Sequence, residues 1–224
     1  MHRDFADKHP SASVIGIDIA QKIAPNSVPP NLEILIQDCT DRWPFRGSEF
    51  DFIHARGLIG TIMDWKALFS EAYRCLKPGQ WFETIEPSFR IEDRRHDIPD
   101  DSPLRRWENF FVESGRKRGT SFAVLEENTQ RETLERVGFI DIQEQDLEIP
   151  IGEWPSDNES RETGLFMRRA LQNDIEGTFY LLAEEACFND DHMLAFEFRK
   201  ELDRQDRKLS IRYRAVRGRK PYDH

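Results

Sequence analysis

The sequence has no long hydrophobic run. No window approaches the roughly 20 apolar residues that a membrane-spanning helix needs, and the polar opening MHRDFADKHP has no signal-peptide core. We therefore expect no contact with a membrane and a location in the cytoplasm.

Cysteine is scarce as well. Cys39, Cys75 and Cys187 are far apart in the sequence, and none belongs to a CxxC or Cys/His pair with metal-ligand spacing. We expect reduced thiols, no disulfide framework and no metal site.

Basic residues are outnumbered by acidic ones. The chain has 32 Lys and Arg against 42 Asp and Glu, which gives a formal net charge of -10 at pH 7. Such a surface repels phosphates, whereas nucleic-acid binding relies on basic side chains that displace counterions. We expect no nucleic-acid partner, because a basic partner or a neutral small molecule fits this charge better.

Strand and helix patterns alternate over the first 150 residues. Four apolar runs predict strands: VIGID (14–18), LEILIQD (32–38), FDFIHA (50–55) and WFETIE (81–86). Between the last two, apolar residues recur at helical spacing from Trp65 to Leu76. This alternation is typical of an α/β fold with a parallel sheet and crossover helices.

Helical patterns dominate the rest of the chain. Residues 103–118, 124–137, 160–188 and 190–206 predict helices, and the segments FIDIQEQDLEIPIG and LSIRYRAVRGRKP predict strands. The arginines of the last segment favour an edge strand with a solvated face, with a surface for an anionic partner as the alternative.

Several segments together resemble one family. VIGIDI, VPPNLEILIQDCTDRWPF, FDFIHARGLIGTIMDW, EAYRCLKPGQWFETIE, PIGEWPSD and GRKP resemble the class I methyltransferase-like proteins of fungal secondary metabolism, the group that includes the velvet-complex regulator methyltransferase. The resemblance implies a Rossmann-like fold that holds S-adenosylmethionine on a glycine-rich turn after its first strand. It also implies helical insertions that form a lid.

The sequence departs from this family at the glycine-rich turn. FADKHPSASVIGID aligns with the end of the family's first helix and its second strand, and no GxG occurs in the chain. We expect a single domain over residues 1–224 that lacks the first strand. Residues 1–100 are then the remnant of the cofactor-binding half, and residues 101–224 supply the helical lid and the last strands.

The missing strand is central in the family's sheet, so its loss exposes two rows of backbone groups that need partners. Either VIGIDI and FDFIHA close up, or another chain fills the gap. A homodimer formed by strand exchange is one such solution.

Three residues match the family's cofactor positions. The resemblance implies that Asp18 binds the ribose, and that Asp38 and Cys39 lie beside the adenine ring. Asp18 is alternatively an ordinary strand-end turn residue, and Asp38 a cap of the following turn. All three are vestigial if S-adenosylmethionine is not bound.

The strand FDFIHA places His54 and Arg56 at its carboxyl end, where open α/β sheets bind ligands. We predict His54 as an acid/base residue, because imidazole titrates near neutrality, and Arg56 as a substrate-binding residue. Glu83 and Glu86 are three residues apart and therefore face opposite sides of a pleated strand. Glu86 is nearer the functional end, so we favour it as the catalytic acid, with a role in an edge salt bridge as the alternative.

Tryptophans supply the candidate substrate cavity. Trp65, Trp107 and Trp154 are predicted to line an apolar pocket under the helical insertions, although aromatic residues at helical spacing also serve as plain core.

Three functions remain open. The favoured one is an enzyme of secondary metabolite biosynthesis that needs no cofactor and assists a pericyclic cyclisation or an isomerisation of an apolar small molecule. Shape and one acid or hydrogen-bond group would carry that catalysis. The alternatives are an S-adenosylmethionine-dependent methyltransferase with an incomplete or partner-completed cofactor site, and a non-catalytic regulatory or binding subunit.

Overall fold

The computed structural model describes residues 2–20, 28–186 and 192–222, without the side chains of residues 174–186 and 192. Helices and strands alternate as the sequence predicts, which confirms the α/β class. In chain order they are α1 (His2–Lys8), β1 (Val14–Asp18), β2 (Leu32–Ile36), β3 (Phe50–Arg56), α2 (Trp65–Cys75), β4 (Leu76–Asp93), α3 (Pro103–Arg118), α4 (Thr129–Val137), β5 (Ile140–Pro150), α5 (Asn158–Ala186), α6 (His192–Leu202) and β6 (Leu209–Arg219).

The strands form two sheets. β1 and β2 pair in parallel as one sheet, and the other has the order β3-β4-β6-β5. β3 and β4 are parallel, whereas β6 is antiparallel to both of its neighbours. β3, β4 and β5 therefore run in the same direction, and the expectation of a parallel sheet fails at β6, which lies between β4 and β5 in the opposite direction. The expectation of a last edge strand fails too, because β6 lies inside the sheet and its Arg214 and Arg219 pair with Asp146 and Asp141 of β5.

A gap separates β1 from β3. Within the described residues neither strand pairs with the other, so the two strands have not closed up. The backbone carbonyl oxygen of Asp18 accepts a hydrogen bond from the N–H of Gln37 on the β2 side. The N–H of Gly57 donates to the carbonyl oxygen of Ile85 on the β4 side. Backbone groups alternate along a parallel strand, so those of Ile15 and Ile17 in β1 face away from β2. The groups of residues 52, 54 and 56 likewise face away from β4.

The core lies on one face of β4. Phe82, Thr84, Glu86 and Ser88 alternate along this strand and are at most 1% exposed. Helices α2 and α3 lie against β4, and α4 packs on α2, β5 and β6. Residues 81, 83, 85 and 87 point to the opposite face and are only half-buried. The two faces thus offer a dry environment and a partly open one.

Cys39 and Cys75 are free thiols, and Cys187 lies outside the described residues. No helix within the described ranges combines the length and apolar character needed to cross a membrane.

Candidate active site

Two carboxylates end neighbouring parallel strands. Asp18 closes β1, and its Oδ1 accepts a hydrogen bond from the N–H of Ala20 at 2.8 Å. Asp38 follows β2, and its Oδ1 accepts hydrogen bonds from the N–H and Oγ1 of Thr40 at 2.8 and 2.7 Å. These bonds from Thr40 lower the pKa of the Asp38 carboxyl. Because β1 and β2 run in parallel, both acids lie at the same edge of the sheet.

Cys39 adds a half-buried thiol beside these acids. Burial raises the pKa of the thiol, and the negative charge of Asp38 raises it further. The protonated thiol is a small apolar group rather than a nucleophile. Its environment therefore suits contact with a flat ring better than covalent chemistry.

The loop after Cys39 is held by α2. Arg74 donates to the carbonyl oxygens of Phe45 and Trp43 at 2.8 and 3.1 Å and forms an ion pair with Glu71. Glu71 in turn accepts a hydrogen bond from the N–H of Trp43 at 3.0 Å. The indole of Trp43 donates to the carbonyl oxygen of Cys39 at 2.9 Å. This chain of contacts fixes the segment that carries the second acid and the thiol.

His54 pairs with Glu83 across two strands. The two residues are direct partners in the β3–β4 register, and Nδ1 of His54 lies 3.0 Å from Oε1 of Glu83. Nε2 of His54 is buried and has no hydrogen-bond partner among the described residues. The sequence pattern did not predict Glu83 as the partner of His54, because this pairing follows from the β3–β4 register, which no local pattern reveals.

Glu86 occupies a different place. Its side chain is on the core face, 0% exposed, and its Oε1 and Oε2 accept hydrogen bonds from the N–H groups of Leu58 and Ile59 at 3.1 and 2.8 Å. Burial raises the pKa of Glu86 to about 7, although these bonds act in the opposite direction. The structure does not bring Glu86 to His54. Glu83, the partner of His54, lies three residues before Glu86 on the pleated strand β4, so the side chains of Glu83 and Glu86 are on opposite faces of the sheet. What it shows for Glu86 is a clamp on the turn after β3.

The remaining predicted substrate residues have different surroundings. Arg56 is exposed at the end of β3. Trp65 is buried and packs edge-on against Phe69 with ring centres 5.8 Å apart. Trp107 is 5% exposed and stacks on Phe198 at 4.3 Å. Both rings belong to the core cluster, the alternative that the sequence left open.

Trp154 lies beside a cavity. Its indole donates to the carbonyl oxygen of Leu209 at 2.8 Å, and the guanidinium of Arg94 lies 5.0 Å from the ring centre. The cavity beside it measures about 200 Å³ and is open to solvent. The binding roles of the three tryptophans and of Arg56 stay predictions.

His2 connects the two sheets electrostatically. Its ring lies over Gly16 of β1, where an added Cβ would approach the imidazole Cγ to 3.0 Å. Burial lowers the pKa of His2, Asp18 opposes that change, and His54 adds to it. His2 is therefore within electrostatic range of both Asp18, at the end of β1, and His54, near the end of β3. Within the part of the chain that the structure describes, no three His, Cys, Asp or Glu residues cluster to hold a metal ion.

The residues at this edge fit the nucleoside part of S-adenosylmethionine. A strand-end carboxylate accepts hydrogen bonds from ribose hydroxyls, and a second acid beside an apolar thiol suits an amino-substituted ring. The fit covers only that part, because the chain has no GxG turn for the remainder.

Comparison with known proteins identifies the family. A family model described as a methyltransferase domain matches residues 4–144, so the chain belongs to the methyltransferase domain family. The chain is 32% identical over 175 residues to the secondary metabolism regulator LAE1 of Cochliobolus heterostrophus, covering 77% of this chain and 56% of the relative. It is 27% identical over 221 residues to methyltransferase pytC of Aspergillus terreus, covering 97% of this chain and 67% of the relative. The chain thus spans about half to two thirds of the length of these curated relatives.

Solved structures confirm the Rossmann-like fold. Phosphoethanolamine N-methyltransferase 2 of Haemonchus contortus, in complex with S-adenosyl-L-methionine, aligns with a TM-score of 0.53 at 19% identity over 96% of this chain and 46% of that chain. The [4+2]-cyclase SpnF aligns with a TM-score of 0.52 at 16% identity over 95% of this chain and 67% of that chain. The scaffold is therefore methyltransferase-like and related to proteins of fungal secondary metabolism. The matches agree with the alternative that includes S-adenosylmethionine and lend no support to the expected absence of a cofactor.

Proposed function

We propose that this chain forms part of an S-adenosylmethionine-dependent methyltransferase of fungal secondary metabolism. The observation that carries the proposal is the placement of Asp18, Asp38 and Cys39 together at the carboxyl edge of the β1–β2 sheet. Family membership supports it, because this edge matches the cofactor positions that the resemblance implies.

Each residue has a specific task in this proposal. Asp18 accepts hydrogen bonds from the ribose hydroxyls, and the bond from Ala20 keeps its carboxylate oriented. Asp38, held by Thr40, accepts a hydrogen bond from the amino group of the adenine, and Cys39 contacts the ring. When bound, the cofactor supplies an electrophilic methyl group. The chain's contribution to catalysis is then alignment of the two reactants and removal of a proton from the acceptor.

Calorimetric titration with S-adenosylmethionine and S-adenosylhomocysteine tests the proposal. We expect binding by the unaltered chain and at least tenfold weaker binding by Asp18→Asn, since one charge-assisted hydrogen bond contributes about 1.5 to 3 kcal/mol. Glu33→Gln is the matched control, because Glu33 is an exposed acid near the amino end of β2, away from the carboxyl edge that carries Asp18 and Asp38. A folded protein that binds neither compound would refute the proposal.

A cofactor-independent enzyme is the second candidate. It would bind an apolar intermediate and assist a pericyclic cyclisation or an isomerisation, and the fold similarity to the [4+2]-cyclase SpnF is the observation in its favour. A fold alone does not carry a reaction, so this candidate ranks second. The name of LAE1 motivates a third, a non-catalytic regulatory subunit. Failure to bind S-adenosylmethionine would leave these two, and product formation from a pathway intermediate would separate them.

A further inference from the structure

One polar row crosses the open face of the larger sheet. The strand registers align His54 of β3 with Glu83 of β4, Arg217 of β6 and Gln143 of β5. Arg217 donates to Oε1 of Gln143 at 3.0 and 2.6 Å, and its guanidinium lies 5.2 Å from the ring centre of Trp81. The arginine is thus oriented toward the β5 side of the row, and Glu83 is oriented toward His54.

The Glu83 contact selects one form of the imidazole. A carboxylate only accepts hydrogen bonds, so Nδ1 of His54, 3.0 Å from Oε1 of Glu83, must carry the proton. In a neutral ring the lone pair then resides on Nε2. Nε2 is buried and unpartnered among the described residues, and an unpaired buried acceptor destabilises the folded state. A ligand that donates a hydrogen bond to this atom would remove that cost.

Resting on the proposed function, we infer that Glu83 is a positioning residue that fixes the His54 tautomer, and that Nε2 of His54 receives the proton of an acceptor bearing a hydroxyl or amino group. The proton would leave the heteroatom for Nε2, and the electron pair released would bond to the methyl group that a bound cofactor supplies. The bonding pair of that methyl group would stay on the cofactor's sulfur. The imidazolium produced is neutralised by Glu83 and returns its proton to solvent. The substrate class is therefore a phenol, an alcohol or an amine rather than a carbon skeleton without such a group.

The tautomer can be measured without cofactor or substrate. In ¹⁵N-histidine-labelled full chain, with the His54 signals assigned through His54→Gln, we expect a protonated Nδ1 and an unprotonated Nε2 when the ring is neutral. Glu83→Gln should shift the population toward the Nε2–H form, which is the usual preference of free imidazole side chains. Glu92→Gln, an exposed acid on the same strand, should leave the spectrum unchanged. A predominant Nε2–H form in the unaltered chain would overturn the inference, and so would insensitivity to Glu83→Gln.

A pair of small probes tests the substrate class. Phenol donates a hydrogen bond, whereas its methyl ether, anisole, has the same ring and no donor. We expect phenol to move the Nε2 resonance of His54 and anisole to leave it in place; equal effects, or none from phenol, would contradict the assignment. Neither measurement involves S-adenosylmethionine. The roles of His54 and Glu83 can therefore be confirmed when cofactor binding fails, and they can be refuted when cofactor binding is observed.

Discussion

The carboxylate of Glu86 lies 2.8 Å from the backbone nitrogen of Ile59 and holds the turn that follows β3 from the strand beside it. The side chain is fully buried, and the N–H of Leu58 binds its other oxygen. The turn determines where β3 ends, and His54 and Arg56 occupy that end. A buried acid thus supports the site from the face opposite to His54.

Glu86 should make stability depend on pH. Its pKa rises from 4.5 to about 7 on folding, so between these values the folded state holds a proton that the unfolded state has lost. Its contribution is complete below pH 4.5 and disappears as the pH rises through 7. Between pH 5 and pH 8 the loss is about 2 to 3 kcal/mol in the free energy of unfolding.

Urea denaturation of the unaltered chain and of Glu86→Gln at pH 5 and pH 8 measures this dependence. Glutamine does not titrate, so the variant should lack that part of the decline, whereas Glu92→Gln should retain it. Parallel pH profiles for Glu86→Gln and the unaltered chain would contradict the pKa shift.

Gly60 and Gly57 form a natural pair of test positions. Both have left-handed backbone angles, with φ of +76° and +67°. A Cβ at Gly60 would lie 2.1 Å from Cζ of Phe122, whereas a Cβ at Gly57 would meet nothing within 4 Å. Gly57→Ala should cost about 1 to 2 kcal/mol from strain alone. Gly60→Ala should cost about 1 to 3 kcal/mol more from the clash, as measured by urea denaturation. Equal costs would show that Phe122 moves away freely.

Arg74 should be irreplaceable by lysine. Its guanidinium contacts two carbonyl oxygens and the carboxylate of Glu71 at once, and a single ammonium group cannot reproduce that geometry. Arg74→Lys should lower the free energy of unfolding by about 1 to 3 kcal/mol, because a carbonyl oxygen is left without its partner. Arg136→Lys, an exposed i,i+4 pair with Glu132 on α4, should change it by less than about 0.5 kcal/mol. A similar loss in both variants would argue against a specific role of the Arg74 contacts with Trp43, Phe45 and Glu71.

Substitutions of Trp107 can distinguish a structural role in the core from a role in ligand binding. Its ring stacks on Phe198 at 4.3 Å and contacts Phe111 at 4.8 Å. Trp107→Ala should therefore cost about 3 to 5 kcal/mol in the free energy of unfolding, and Trp107→Phe less. If Trp107→Phe keeps its fold but binds an apolar pathway intermediate at least tenfold more weakly, the predicted ligand role gains support. A loss of stability without a change in binding would leave the core role alone.

The sequence predicts the positions of helices and strands better than it predicts which strands pair and in which direction. Helix α3 spans residues 103–118 as its pattern indicates, because Pro103 and Gly119 mark its ends and an apolar stripe spans its length. The antiparallel direction of β6 and its interior place between β4 and β5 escape such reasoning, since strand order and direction are properties of long-range pairing. The site shows the same division. Asp18, Asp38 and His54 stand at strand ends that local patterns reveal, whereas the His54–Glu83 contact depends on register.

The open edges of β1 and β3 predict an alternating pattern of hydrogen exchange. The N–H groups of Gly16 and Ala55 face a paired strand, whereas those of Ile15, Ile17 and His54 face the gap. In a dilute monomer the first set should exchange slowly and the second set fast.

Filling of the gap by a strand of a second copy remains our proposal for a partner. It predicts that the amides of Ile15, Ile17 and His54 become protected as protein concentration rises, while light scattering reports a dimer. The amide of Ile36, at the end of β2, provides the reference, because its exchange should not depend on concentration. A dimer without protection of these three amides would mean that association uses another surface, and protection in a strict monomer would mean that the two strands approach each other in solution.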